Sequence, residues 1–181
     1  EVDLVVGRRR DYFDGAIPSG NATMTRNLLR LHELTGSSEH GEAATHLVKA
    51  CLSRVGPYPM GAAELLLAVQ AMSRRSPVVV IVGDPVLEET QQMIQAVRAS
   101  THPGIILAFE SDSDENAEKP TLPLFQGRKS AEGKPLAYVC IDQVCEVPLG
   151  TVKELNLRIQ ELVNESGSVS EKAPRSQAAE E

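Results

Sequence analysis

Cys140 and Cys145 are the residues in this chain best suited to covalent chemistry. They stand in Ala137-Tyr138-Val139-Cys140-Ile141-Asp142-Gln143-Val144-Cys145. A strand leaving Cys140 and a turn returning at Cys145 would bring the two sulfurs within disulfide reach, given α-carbons about 6 Å apart. Three readings of the pair stay open: two small buried residues at a strand end, a redox-active or redox-sensing pair, or half of a metal site. Zinc would require a second ligand pair. Cys51 and the four histidines, His32, His40, His46 and His102, are spaced too irregularly to supply one. No metal and no cofactor is expected.

The loop Asp14-Gly15-Ala16-Ile17-Pro18-Ser19-Gly20-Asn21 is the richest candidate site. A carboxylate, a hydroxyl and an amide meet just ahead of a helix start, where backbone N–H groups also point outward. Asp14, Ser19 and Asn21 would suit a hydroxyl-rich ligand such as a sugar. The competing reading is that Ser19 or Asn21 caps the helix and Asp14 folds back onto the loop. Gly83-Asp84-Pro85 follows a strand but lacks the further glycines of a dinucleotide site and the Lys of a phosphate loop. It reads as a strand-to-helix turn with Pro85 at the first helical position. Asn21-Ala22-Thr23 and Asn164-Glu165-Ser166 match the glycosylation pattern and are taken as chance.

The elements that must position these residues change character once along the chain. Met24, Leu28, Leu31 and Leu34 recur at helical spacing and stop at Gly36. A second helix carries Ala44, Leu47, Val48, Cys51, Leu52 and Val55 and ends at Gly56-Pro57. A third runs from near Pro59 to about Ser73, apolar on most sides. Beyond it, Val78 to Val82 is a β-branched run and reads as a buried strand. An amphipathic segment, Val86 to Ser100, and a second strand, Ile105 to Phe109, complete a βαβ pattern. A third strand, Leu136 to Cys140, and a helix from about Leu149 to Val163 extend it. Residues 110–120 carry five carboxylates and read as a solvated loop.

The fold class expected is therefore mixed α and β. Residues 1–75 form helices whose apolar faces need partners that the chain does not supply, 76–163 a small three-stranded α/β domain, and 164–181 a disordered tail. With 181 residues, 18 Lys+Arg and 25 Asp+Glu, the net charge is −7. That excludes a general nucleic-acid or anionic-membrane binder, which needs a basic face. No apolar run approaches the roughly 18 residues of a membrane span. Three cysteines make no disulfide scaffold, and an intracellular protein is expected.

Several motifs together resemble a known family. Asp14 to Asn21, then Asn27-Leu28-Leu29-Arg30-Leu31 and Leu34-Thr35-Gly36, then Val80-Ile81-Val82-Gly83-Asp84, and finally Ala137-Tyr138-Val139-Cys140 with Cys145 and Pro148 resemble, in order, the spermatogenesis-associated protein 20 family. The resemblance covers residues 11–150. It implies a C-terminal fragment of a longer chain: a thioredoxin-like domain, a helical toroid similar to six-hairpin glycosidases and sugar epimerases, then a small C-terminal region. Residues 1–75 would be the last helices of that toroid. By the same analogy Asp14, Ser19 and Asn21 would line its mouth and contact a carbohydrate or other small molecule in the full-length protein. No acid/base pair can be assigned, so the catalytic residues are unknown. The fragment itself is expected to be inactive, with upstream domains of the same chain as its partners. Two alternatives stand beside this: a sugar isomerase or glycosidase-like enzyme using the toroid pocket, and a protein-interaction module with Cys140 and Cys145 as a thiol switch.

Overall fold

The computed structural model describes residues 11–56, 58–74, 76–112 and 122–168. They fall into two compact units, one of residues 11–76 with 122–124 and the other of residues 77–112 and 125–168. Most of the expected acidic loop and residues 169–181 lie outside the described residues.

The first unit is helical. Helix α1 spans Gly20–Thr35, α2 Ser38–Val55 and α3 Ala63–Ser73, the last preceded by a 3-10 turn at Pro59–Ala62. Ser19 caps α1, its hydroxyl accepting from the Ala22 N–H, and Gly36 closes it at φ 69°. That left-handed conformation is the reason glycine stands there. The core of this unit is small: Ala22, Val48, Cys51, Val55, Ala62 and Leu65.

Much of its apolar surface faces outward. In α1 the buried residues are Ala22 and Thr25, whereas Met24 and Leu31 of the expected stripe are exposed. The close α1–α2 approach selects small side chains, which a count of large apolar residues overlooks. Leu66, Leu67 and Met72 of α3 are exposed too, so α3 is not enclosed within the described chain. Ile17, Tyr58 and Met60 add to this surface, Met60 at 90% exposure.

The second unit is the mixed α/β fold expected, built on a four-stranded sheet in the order β2-β1-β3-β4. Its strands are β1 Val78–Val82, β2 Ile106–Glu110, β3 Leu136–Ile141 and β4 Val144–Cys145. β1 and β2 are parallel and joined through helix α4, Glu88–Arg98, the expected βαβ unit. The sheet differs from the sequence expectation in carrying a fourth strand and in running β3 antiparallel to β1. Among the described residues between β2 and β3, the only helical element is the 3-10 turn Pro123–Phe125. A parallel third strand needs a crossover, usually a full helix.

Helix α5, Val152–Ser168, starts three residues later than expected and runs five past Val163, into the segment expected to be a tail. Thr151 fixes its start. The Thr151 hydroxyl accepts from the Glu154 N–H at 3.2 Å, and the Glu154 carboxylate accepts from the Thr151 N–H at 3.1 Å. Helices α4 and α5 cover one sheet face, where Val79, Ile81, Ala137 and Val139 pack with Met93, Ile94, Val97, Leu155, Ile159 and Leu162. Pro85 is not the first helical residue. The Asp84 carboxylate accepts from the Val86 N–H and its carbonyl from the Leu87 N–H, so a turn precedes the helix.

Candidate functional site

The hairpin β3–β4 brings Cys140 and Cys145 together. Ile141 pairs with Val144, and Cys140 with Cys145. The two residues between, Asp142 and Gln143, have φ of 51° and 65°. Two successive left-handed residues make the type I′ turn whose twist matches that of paired strands. Beyond the cysteines, the Glu146 N–H donates to the Val139 carbonyl at 2.8 Å. Hydrogen-bonded and non-bonded pairs alternate in such a ladder, so Cys140 and Cys145 occupy the closely approaching non-bonded position. Their α-carbons are 3.9 Å apart and the sulfurs are joined as a disulfide.

The two sulfurs are not equivalent. Cys140 is 2% exposed, while Cys145 is half-buried on the edge strand of the sheet. Arg128 reaches Cys145 from 17 residues upstream, its guanidinium donating to Sγ at 2.6 Å. The same guanidinium lies over the Tyr138 ring, 5.9 Å from its centre. Tyr138 is held in turn, its hydroxyl donating to the Lys129 carbonyl at 2.8 Å. Residue 146, next along the strand, is anchored to α5: Glu146 pairs with Arg158, which also meets Glu161 and Glu165. Hydrogen bonding to Glu146 holds the Arg158 guanidinium charged more firmly than in water. Sequence reading finds the cysteines but not Arg128. Its neighbours in the chain, Gly127 and Lys129, give no hint of a sulfur partner.

The other candidates gather at the start of α1 and spend their polar groups on the backbone. The Asp14 carboxylate accepts from the Ser19 N–H and the Glu64 N–H, each at 2.9 Å. It thereby fastens the loop and the beginning of α3 at one point. Arg26 pairs with the side chain of the same Glu64. Ser19 is buried and serves as the cap described above. The Asn21 amide donates to the Asp11 carbonyl at 2.8 Å. Among the described residues no three His, Cys, Asp or Glu gather as metal ligands. No described helix is long and apolar enough to cross a membrane.

Fold and site define a helical unit followed by a mixed α/β unit that carries a hairpin disulfide. The chain is homologous to part of spermatogenesis-associated protein 20. It is 30% identical to the human protein over 158 residues, 86% of this chain and 20% of that one. The rat protein is 29% identical over 148 residues, 82% of this chain and 19% of the relative. An uncharacterized protein of Caenorhabditis elegans is 28% identical over 146 residues, 78% and 19% of the two. The chain thus spans about a fifth of the length of the curated relatives it matches. No protein-family profile and no solved structure matches it.

Proposed function

We propose that this chain is the C-terminal portion of a spermatogenesis-associated protein 20-like protein, and that its α/β unit is redox-linked through a thiol switch at Cys140 and Cys145. The observation that carries this reading is the hairpin disulfide with a cation on its more accessible sulfur. Magnitude separates a switch from a staple. Closing a loop of about six residues removes only about 2 kcal/mol of unfolded-chain entropy, against about 4.7 kcal/mol for a 100-residue loop. The α/β core, Val79, Ile81, Met93 and Leu155 among it, is fully buried without help from the sulfurs. The bond therefore constrains the unfolded chain less than a long-range staple would.

The test is to expose the protein to a dithiol and then to an oxidant, following intact mass and cysteine alkylation. Reversible gain and loss of two hydrogens at Cys140 and Cys145, with circular dichroism unchanged, is expected. Cysteines labelled equally under both conditions would refute the switch.

The helical unit supports a second part of the reading, that residues 1–75 are the closing helices of an α/α toroid completed by upstream hairpins. Its outward Met24, Leu31, Leu66, Leu67 and Met60 would be covered there. Exposed apolar faces of that extent mark surfaces that bind something. A carbohydrate-related role in the complete protein, with Asp14, Ser19 and Asn21 holding substrate hydroxyls, is the lesser proposal, since these groups already serve the backbone. A saccharide-induced rise in the melting temperature of the full-length protein, lost in Asp14→Asn, would favour it. No response across a broad saccharide panel would set it aside.

A further inference from the structure

We infer that Cys145 is the sulfur through which the pair exchanges with the thiols of a partner protein, that Cys140 is the resolving sulfur, and that Arg128 is the positioning residue that readies Cys145. The inference rests on the thiol-switch reading above and adds which atom reacts, with what class of partner, and why.

Access gives the first argument. An attacking thiolate must approach one sulfur along the S–S axis. Cys140 is 2% exposed on an inner strand, whereas Cys145 lies half-buried on β4, the sheet edge. Exposed Val144 and Val147 flank Cys145 and offer apolar footing to an extended segment laid along that edge.

Charge gives the second. The Arg128 guanidinium already donates to the Cys145 sulfur. Once the bond is reduced, that cation favours thiolate over thiol. Its place is fixed by the Tyr138 ring beneath it, and Tyr138 by its hydrogen bonds to the Lys129 backbone. Tyr138 and Cys140 sit two apart on β3, so they share a sheet face. The register then sets Cys145 opposite Cys140 on that face.

The exchange balances with a partner dithiol as reductant. The first partner thiolate attacks Cys145 Sγ. A partner–Cys145 bond forms, the Cys140–Cys145 bond breaks, and the electron pair leaves on Cys140 Sγ, which takes a proton from water. The second partner thiolate then attacks the partner sulfur of the mixed disulfide. The partner's own disulfide forms, and the electron pair returns to Cys145 Sγ beside Arg128. The protein disulfide gains two electrons and the partner dithiol loses them. Run backwards, Cys145 attacks a partner disulfide and Cys140 resolves it.

The size of the effect selects the readout. Lowering a thiol's pKa by about one unit raises its thiolate fraction about tenfold at a pH well below that pKa. Intrinsic nucleophilicity falls about threefold over the same unit, leaving about threefold in rate. The midpoint of the pH profile moves by the whole unit and is the better measure.

The reduced protein is therefore treated briefly with limiting iodoacetamide between about pH 5 and pH 9, and peptide masses give the labelling rates at Cys140 and Cys145 separately. Cys145 is expected to label at least about tenfold faster than Cys140. Its midpoint should rise by about one pH unit in Arg128→Ala and return part of the way in Arg128→Lys. Equal or faster labelling of Cys140, or a midpoint unmoved in Arg128→Ala, overturns the inference. Labelling of buried Cys51 would reveal an unfolded variant, and the wild-type ratio of Cys145 to Cys140 then decides alone. A protein whose disulfide does not form and break reversibly fails the switch reading itself. One that does so with Cys140 reacting first fails only this inference.

Discussion

Cys145 faces Cys140 across the β3–β4 hairpin with α-carbons 3.9 Å apart, and the turn between them sets that pairing. Asp142 and Gln143 both adopt positive φ, which non-glycine residues rarely do. Gln143→Gly should therefore stabilise the hairpin by up to about 1 kcal/mol. Gln143→Val, β-branched and strained there, should loosen it and shift the disulfide toward the reduced form. A dithiol titration of the two variants reads both effects.

Gly83 lies where the chain leaves β1. A Cβ there would come 2.8 Å from the Pro135 Cβ, 3.0 Å from its Cα and 3.1 Å from the Thr90 hydroxyl. Pro135 leads directly into β3, so the clash moves the strand that carries Cys140. Gly83→Ala should cost about 1–3 kcal/mol, seen as a lower denaturant midpoint. Unchanged stability would mean that the turn yields more easily than its packing suggests.

Asp14 holds the Ser19 N–H and, 50 residues along the chain from itself, the Glu64 N–H through one carboxylate. Asp14→Ala leaves two N–H groups without that partner and should destabilise the helical unit by about 2 kcal/mol, with Asp14→Asn roughly half as harmful. Equal stability of Asp14→Ala and wild type would free Asp14 from this structural duty and strengthen its claim as a ligand contact.

Thr151 and Glu154 cap α5 reciprocally. Thr151→Ala should lower stability by about 1 kcal/mol, more than an alanine substitution at an exposed position in the body of α5. Thermal unfolding by circular dichroism measures it.

Cys51 is buried in the helical unit and free of disulfide, and burial pushes its thiol upward. A raised folded value favours the protonated form, so its contribution is complete below the ordinary thiol range and is lost as pH climbs through the folded value. Stability should fall as pH rises above about 8.5, and Cys51→Ala should flatten that fall. The same thiol should resist alkylation in the native protein at neutral pH.

The sequence was legible where residue type and period agreed. Val78 to Val82, the amphipathic α4 and the strand ending at Glu110 form one parallel βαβ unit because β-branched runs and helical spacing point the same way. Ser19 and Gly36 bracket α1 as their chemistry demands. Legibility failed where long-range pairing decides. The direction of β3 depends on its connection rather than on its residues. The short β4 hides behind Asp142-Gln143, which lacks the Asn-Gly signature of its turn type. Arg128 meets Cys145 only in the folded chain, and the small buried face of α1 is chosen by the neighbouring helix.

The most direct test of the thiol switch is a redox titration of Cys140 and Cys145 in the native protein against a dithiol–disulfide buffer. A reversible two-electron midpoint above about −300 mV is predicted, within reach of exchange partners. A midpoint well below that value, or no reduction before unfolding, would make the bond a structural staple and contradict the switch.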